Sequence, residues 1–240
     1  MNTLKGKVAI ITGASKGVGK ATALLLAKQG MYLVLVARSA DELTEVKNEI
    51  IKEEESKCLI FVGSVSDATL ANKVVKETIE AFGKIDFLIN NAGYGIFKPT
   101  LEITEQDWDE MYATNTKGTF LFSKAVLPQM QQQQSGHIIN IASDVARRTF
   151  ENGTLYCSSK FAQDAFSMAL RKEVRKHKIK VSVVYSGLVD THFHAEPEGD
   201  AAHAEWLTGF DMASSLHYIM EQPPNVVIDE LMIHPLSQDY

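Results

Sequence analysis

A tyrosine and a lysine four residues apart, Tyr156 and Lys160 in "YCSSK", share one face if the segment is helical, which sets an ammonium beside a phenol. A phenol of pKa about 10 is a poor base near neutrality, and a neighbouring cation favours the phenolate and lowers that pKa. The pair therefore suits proton transfer to and from an oxygen. Ser143, thirteen positions earlier and just past an apolar run, is placed to hydrogen-bond the same oxygen and to hold a carbonyl during reaction.

The second chemical feature is "ITGASKGVGKAT", residues 11–22. An ATP-binding P-loop needs G-x-x-x-x-G-K-[ST], but Ala14 stands where the first glycine belongs and Ala21 takes the hydroxyl position. The pattern G-x-G-x-x-G starting at Gly17 and Gly19 meets Thr22 where its third glycine should be. A third pattern, T-G-x-x-x-G-x-G after a strand, is met in full by Thr12, Gly13, Gly17 and Gly19. Glycines there let the backbone turn sharply and approach a pyrophosphate. A helix starting near Val18 turns its free N–H groups and positive dipole end towards the charge. The loop suits a dinucleotide, with Lys20 starting the helix clear of the ligand.

Elements must hold these groups in place. Short apolar runs at 8–12, 32–37, 58–62, 87–90, 137–141, 180–185 and 226–233 alternate with segments of helical period such as "ATALLLAKQ", "ADELTEVKNEIIKEEE" and "FAQDAFSMALRKEVRKH". That alternation predicts one α/β domain over residues 1–240, a parallel sheet of about seven strands covered by helices. "QMQQQQSG" (129–136) reads as a fraying helix end, and 188–208 as an irregular substrate loop. The 240 residues are 45% hydrophobic and 22% charged with a net charge of -6, carry no basic stripe and contain no apolar run of membrane-spanning length. Neither nucleic acid nor a membrane is expected as a partner, and with no signal-peptide layout the chain reads as cytoplasmic. Cys58 and Cys157 lack metal-ligand spacing and read as free thiols; no metal site is expected.

Further motifs complete a set: "NNAG" (90–93) after the fourth strand, Asn115 in "YATNTKG", Ser143 after the fifth strand, and Tyr156 to Lys160 opening a helix. In this order and spacing the chain resembles the short-chain dehydrogenase/reductase family, over essentially its whole length. The resemblance implies a Rossmann-type doubly wound sheet and hydride transfer between a nicotinamide cofactor and a carbonyl or secondary alcohol. It makes Tyr156 the general acid/base and Ser143 the group that stabilises the reacting oxygen. Lys160 would tune the tyrosine and bond the nicotinamide ribose, and Asn115 would support a proton-relaying water. The cofactor would lie along Gly13, Ser15, Lys16, Gly17, Val18 and Gly19, then Ser64 and Val65, then Asn91, Ala92 and Gly93, with Tyr156 and Lys160. Gly187, Val189 and Thr191 would meet the nicotinamide end.

Charge argues for the cofactor's form. NAD-preferring dehydrogenases place an acid at the end of the second strand, whereas this one ends in Ala37 and Arg38. Arg38 and Lys16 are both able to pair with a 2'-phosphate, so NADP(H) is expected. The sequence departs from the family pattern at Ser64-Val65, where an aspartate often contacts adenine, and at Ser186-Gly187, where proline-glycine is usual. Its tail, "IDELMIHPLSQDY", lacks the glycine-rich end of acyl-carrier-protein reductases and resembles bacterial 3-hydroxy acid and malonic semialdehyde reductases. Arg147 and Arg148 fall near the substrate mouth and suggest a small 3-oxo or 3-hydroxy acid or a semialdehyde. His192, His194 and Trp206 fall in the substrate loop. Two alternatives stay open, a 3-oxoacyl-(acyl-carrier-protein) reductase-like enzyme and a non-catalytic NADP(H)-binding sensor. The family resemblance and the apolar faces around "FLFSKAVLPQM" and "YCSSKFAQDAFSMAL" imply a homodimer or homotetramer.

Overall fold

Each of the seven apolar runs supplies a strand of one parallel sheet. In the computed structural model, which describes residues 4–53, 56–193 and 197–239, the chain begins with β1 (Val8–Thr12), α1 (Gly17–Lys28), β2 (Tyr32–Ala37) and α2 (Ala40–Ile50). It continues with β3 (Lys57–Val62), α3 (Ala68–Phe82), β4 (Phe87–Asn90), α4 (Glu105–Tyr112), α5 (Thr119–Gln133) and β5 (Gly136–Ile141). It ends with α6 (Thr154–Val174), β6 (Ile179–Ser186), β7 (Val189–Asp190), β8 (Leu207–Thr208), α7 (Gly209–Met220) and β9 (Glu230–Ile233). Among the described residues the main sheet has seven strands in the order β3-β2-β1-β4-β5-β6-β9, every pair parallel. The order reverses between β1 and β4, and the crevice beyond their carboxyl ends is where such a sheet binds ligands.

The helices follow from the two-residue period of the strands. Ile11, Leu33 and Leu35 face one side and pack with Leu26, Leu43 and Leu216, burying α1, α2 and α7. Ile10, Val34 and Leu88 face the other and pack with Val74, Phe122 and Leu170, burying α3, α5 and α6. Both faces are covered, so the central strands read as continuous apolar runs.

Three expectations need correction. The last strand is shorter than 226–233, because Pro223 and Pro224 precede a turn and Ile228 and Asp229 are held by side chains. Ser182 Oγ donates to Ile228 O at 2.6 Å and Arg171 Nη2 to Asp229 O at 2.6 Å. The segment 188–208 contains the two-residue ladder of β7 with β8 and a 3₁₀ turn at Ala201–His203. The glutamine run ends α5 but does not simply fray. Gln133 Oε1 accepts from Ile85 N at 3.0 Å and its Nε2 donates to Ile85 O at 2.8 Å, fastening the helix end beside β4.

His137 on β5 is buried, with Nε2 2.7 Å from Ser182 Oγ, whose own proton goes to Ile228 O. The ring therefore donates from Nε2, and burial pushes its pKa down to about 3, helped by the Lys180 charge. The unfolded chain binds this proton near pH 6.5 and the fold resists it, so stability falls as the pH drops from 6.5 towards 3. A His137→Gln variant is expected to be less stable at pH 7 but to lose less on acidification. Urea unfolding measured from pH 7 to 4 should show the variant's stability relative to the native protein rising by up to about 1.4 kcal/mol per pH unit below pH 6.5.

Candidate active site

The sequence places glycines where β1 runs into α1, and the backbone there needs them. Gly13 has φ +63°, and a Cβ on it would sit 2.8 Å from Ala92 Cα. A Cβ on Gly19 would sit 2.2 Å from Gly13 O. Only bare backbone lets this turn lie against the segment after β4. Thr12 and Asn91 staple the two strand ends together. Thr12 Oγ1 accepts from Asn91 N and Ala92 N at 3.0 and 3.1 Å, and Asn91 Nδ2 donates to Thr12 O and Gly13 O at 3.1 and 3.0 Å. At α1 no acid occupies the first turn and no side chain caps it, so its N–H groups face the crevice.

A cleft of about 640 Å³ runs from this loop across the sheet ends. Gly13, Ser15, Lys16, Gly17, Val18 and Arg38 line one end, with Asn91, Ala92 and Gly93 beside them. Ser143, Tyr156 and Lys160 line the other, followed by Gly187, Val189 and Thr191. Ser64 and Val65 line a smaller cleft of about 360 Å³ that shares Lys16 and Arg38. Gly19 stands behind the loop as the packing glycine. This cradle fits a dinucleotide, with bare backbone and a helix N-terminus for the pyrophosphate and two cations at one end. Lys20 pairs with Glu49 at 2.9 Å.

The residues expected to be catalytic come from three elements. Ser143 caps a 3₁₀ turn after β5, and its hydroxyl proton has two acceptors within reach, Asp144 Oδ1 at 3.1 Å and Ser186 O at 3.3 Å. Tyr156 and Lys160 lie in the first turns of α6 with the Lys160 Nζ 5.9 Å from the centre of the Tyr156 ring. The ammonium is aimed elsewhere, donating to Ile141 O at 3.1 Å and Gln163 Oε1 at 3.2 Å. Burial pushes the Tyr156 phenol well above its ordinary range; Ser143 pulls it back, and Asp144 and Cys157 push it up again. The expected lowering by Lys160 is thus not what dominates this pocket. Burial lowers Lys160 itself to about 8.

Asn115 lies in a π-helical turn, Ala113–Gly118, between α4 and α5. Its Oδ1 accepts from Tyr94 N at 3.0 Å, and its Nδ2 donates to Tyr94 O at 2.9 Å and Ser159 Oγ at 3.0 Å. The side chain is spent on positioning, and the extra backbone residue of the turn marks the spot. Gln163, one turn beyond Lys160, escaped the sequence reading although the three-residue spacing could have found it. It links Lys160 to Thr119 Oγ1, which in turn donates to Asn115 O at 3.0 Å.

The substrate expectations fare unevenly. Arg147 is not in the cleft: its Nη2 donates to Tyr185 Oη at 2.6 Å and pairs with Glu230 at 2.9 Å, and its Nε lies 3.4 Å from Asp164, under β6. The 3₁₀ turn after Ser143 carries it away. Arg148 does line the cleft but pairs with the buried Asp144 carboxylate. His192 lines it too, 2.9 Å from Glu198. Trp206 does not, because it stacks on His203 at 3.8 Å, and His203 is held by Asp190 at 3.0 Å. His194 lies outside the described residues. What does wall the reacting end is aromatic. Phe97 meets Tyr156 edge-on at 5.3 Å, Phe193 lies 5.6 Å from Tyr156, and Phe150 lies 5.6 Å from Phe97. The chain's tail closes one side, with Gln238 accepting from Leu188 N at 2.8 Å and donating to Asp144 Oδ2 at 2.9 Å.

Lys160 supplies a measurable signature. Free in the unfolded chain it titrates near 10.5, so between about 8 and 10.5 the unfolded state holds the extra proton and wild-type stability rises with pH. Relative to Lys160→Met, the wild type is expected to gain roughly 3 kcal/mol between pH 7.5 and 10.5. Urea unfolding of both proteins across that range checks it.

Among the described residues no group of three or more His, Cys, Asp or Glu is placed to hold a metal, and no helix is long and apolar enough to cross a membrane. Residues 7–201 match the family described as short chain dehydrogenase. An uncharacterized oxidoreductase of Staphylococcus saprophyticus is 36% identical over 239 residues, covering 98% of this chain and 100% of that protein. An alcohol dehydrogenase from the archaeon Thermococcus sibiricus, solved with 5-hydroxy-NADP, superposes with a TM-score of 0.91 at 31% identity, with 98% of each chain covered. The closed form of a serine dehydrogenase complexed with NADP+ gives 0.87 at 28% identity, covering 97% of this chain and 96% of that one. A matched family over most of the chain, a relative above 30% identity at full length and this site leave one conclusion: the chain belongs to the short-chain dehydrogenase family.

Proposed function

We propose that the protein is an NADP(H)-dependent oxidoreductase that interconverts a carbonyl and a secondary alcohol. The observation that carries this reading is the convergence of Ser143, Tyr156 and Lys160 on one end of a cleft whose other end offers a glycine cradle, Lys16 and Arg38. The NADP-bound neighbours support the same cofactor. NADP(H), when bound, supplies or accepts the hydride. Gly13, Gly17 and the start of α1 would hold its pyrophosphate, and Arg38 with Lys16 its 2'-phosphate. The rest falls to side chains. Ser143 and Tyr156 hold the substrate oxygen, and Tyr156 gives it a proton in the reducing direction or takes one in the oxidising direction. Lys160 holds its ammonium beside the Tyr156 ring, and Gln163 and Asn115 keep it and the neighbouring backbone in position.

The aromatic wall of Phe97, Phe150 and Phe193 favours an apolar carbonyl compound. Arg148 at the same mouth supports a second reading, a small 3-oxo or 3-hydroxy acid, provided it leaves Asp144 for the substrate. Phe120, Phe161 and Met168 stay exposed on α5 and α6 and support assembly with further copies of the chain into a dimer or tetramer.

Tyr156→Phe is expected to bind NADPH as the native protein does while kcat/KM falls at least about 10²-fold. Titration of bound NADPH together with turnover checks both halves, and an unchanged response would mark a sensor instead. Phe97→Ala should raise KM for aryl and alicyclic ketones roughly fivefold and leave 3-oxo acids unaffected, as compared by following NADPH absorbance. The opposite pattern favours the acid reading.

A further inference from the structure

The smaller cleft contains an acid that the cofactor reading does not use. Ala37 ends β2 without a carboxylate, yet Glu42, in the first turn of α2, reaches back across the cleft and puts Oε1 2.7 Å from Lys16 Nζ. The Lys16 ammonium, helped by the Ser15 and Ser39 hydroxyls, holds this carboxyl below its usual range. Both partners line the cleft together with Arg38, Ser64 and Val65, and neither is deeply buried: their side chains are 47% and 31% exposed. The pair therefore spans the mouth of the pocket that a phosphorylated ribose would enter, and it does so with the lysine that would meet the phosphate.

We propose that Glu42 is a specificity-determining residue: its carboxylate competes with a 2'-phosphate for Lys16, and so sets how strongly the protein prefers the phosphorylated cofactor. This rests on the NADP(H) reading above. A phosphate entering the cleft has to draw the Lys16 ammonium from Glu42 and then sit near a carboxylate left without its cation, while Arg38 compensates only in part. A ribose carrying two hydroxyls meets no such cost, because a carboxylate accepts from hydroxyls and keeps Lys16 where it is. Glu42 thus acts against the phosphorylated form while Lys16 and Arg38 act for it. The exposure of the pair keeps the effect modest.

The test uses binding rather than turnover, with adenosine 2',5'-bisphosphate and adenosine 5'-monophosphate as probes, titrated calorimetrically at low salt. The native protein is expected to bind the bisphosphate more tightly. Glu42→Gln should tighten the bisphosphate roughly three- to tenfold and leave the monophosphate within about twofold. In a Lys16→Met background the same substitution should gain clearly less, because the contested cation is gone. An equal gain in both backgrounds overturns the competition, as does no gain in Glu42→Gln while the native protein still discriminates. Equal binding of the two probes by the native protein overturns the NADP(H) reading itself. NADPH and NADH titrations of the same variants should follow the two probes in order.

Discussion

A buried ammonium organises the reacting end of this protein. Lys160 is 5% exposed, and a cation there is tolerable only with its donors engaged. Ile141 O at the end of β5 takes one and Gln163 takes another, so the central sheet and α6 are fixed relative to each other by the same charge. Gln163 passes the constraint on through Thr119 to the π-helical turn, and Asn115 passes it to Tyr94 after β4. Beneath lies a second buried ladder, in which Asn90 donates to Asn140 at 2.8 Å and Asn140 to Ser167 at 2.7 Å. Ser167 Oγ donates to Gln163 O at 2.7 Å, which joins the two. Each member is costly alone and satisfied together, which is how a polar network inside a core specifies one arrangement.

The stripe Tyr156, Lys160, Gln163 and Ser167 runs down one face of α6 at spacings of three and four, so a single helix presents both the proposed acid/base and its supports. At the far end of the cleft the logic is the reverse. The charges there are exposed and exchangeable, with Lys16 on Glu42, and the shape is set by bare backbone rather than by buried ions. One end is rigid and desolvated where bonds would change; the other is solvated and adaptable where recognition would occur.

Much of this was legible in the sequence, for reasons that differ by residue. The sheet was readable because central strands of a parallel sheet are apolar on both faces; β1, β2 and β4 coincide with their apolar runs. The edge strand β9 was not, since turn residues and side-chain hydrogen bonds, rather than hydrophobicity, decide where it begins. That Ser143, Tyr156 and Lys160 would line one cleft was readable from their spacing and order. Arg147 was misplaced by the same reasoning, because nearness to Ser143 in sequence says nothing of direction once a 3₁₀ turn intervenes. Asp144, Gln163 and Gln238 carry no motif, and their meaning comes from partners up to 94 residues away.

The segment after β6 shows why chain irregularity alone misleads. Asp190 anchors it twice, accepting from Gly199 N at 2.8 Å and meeting His203 Nδ1 at 3.0 Å, while β7 pairs with β8 and Trp206 stacks on His203. The distal half is thereby tied down against its own start, which keeps Trp206 out of the cleft. The proximal residues differ: Thr191 packs against Gly17 of the phosphate loop, and Phe193 against Phe97 and Tyr156. One short stretch thus touches both the dinucleotide cradle and the aromatic wall. Because Thr191 occupies the space that a side chain at Gly17 would need, the fit of the glycine loop and the position of Phe193 beside Tyr156 are parts of one packing arrangement.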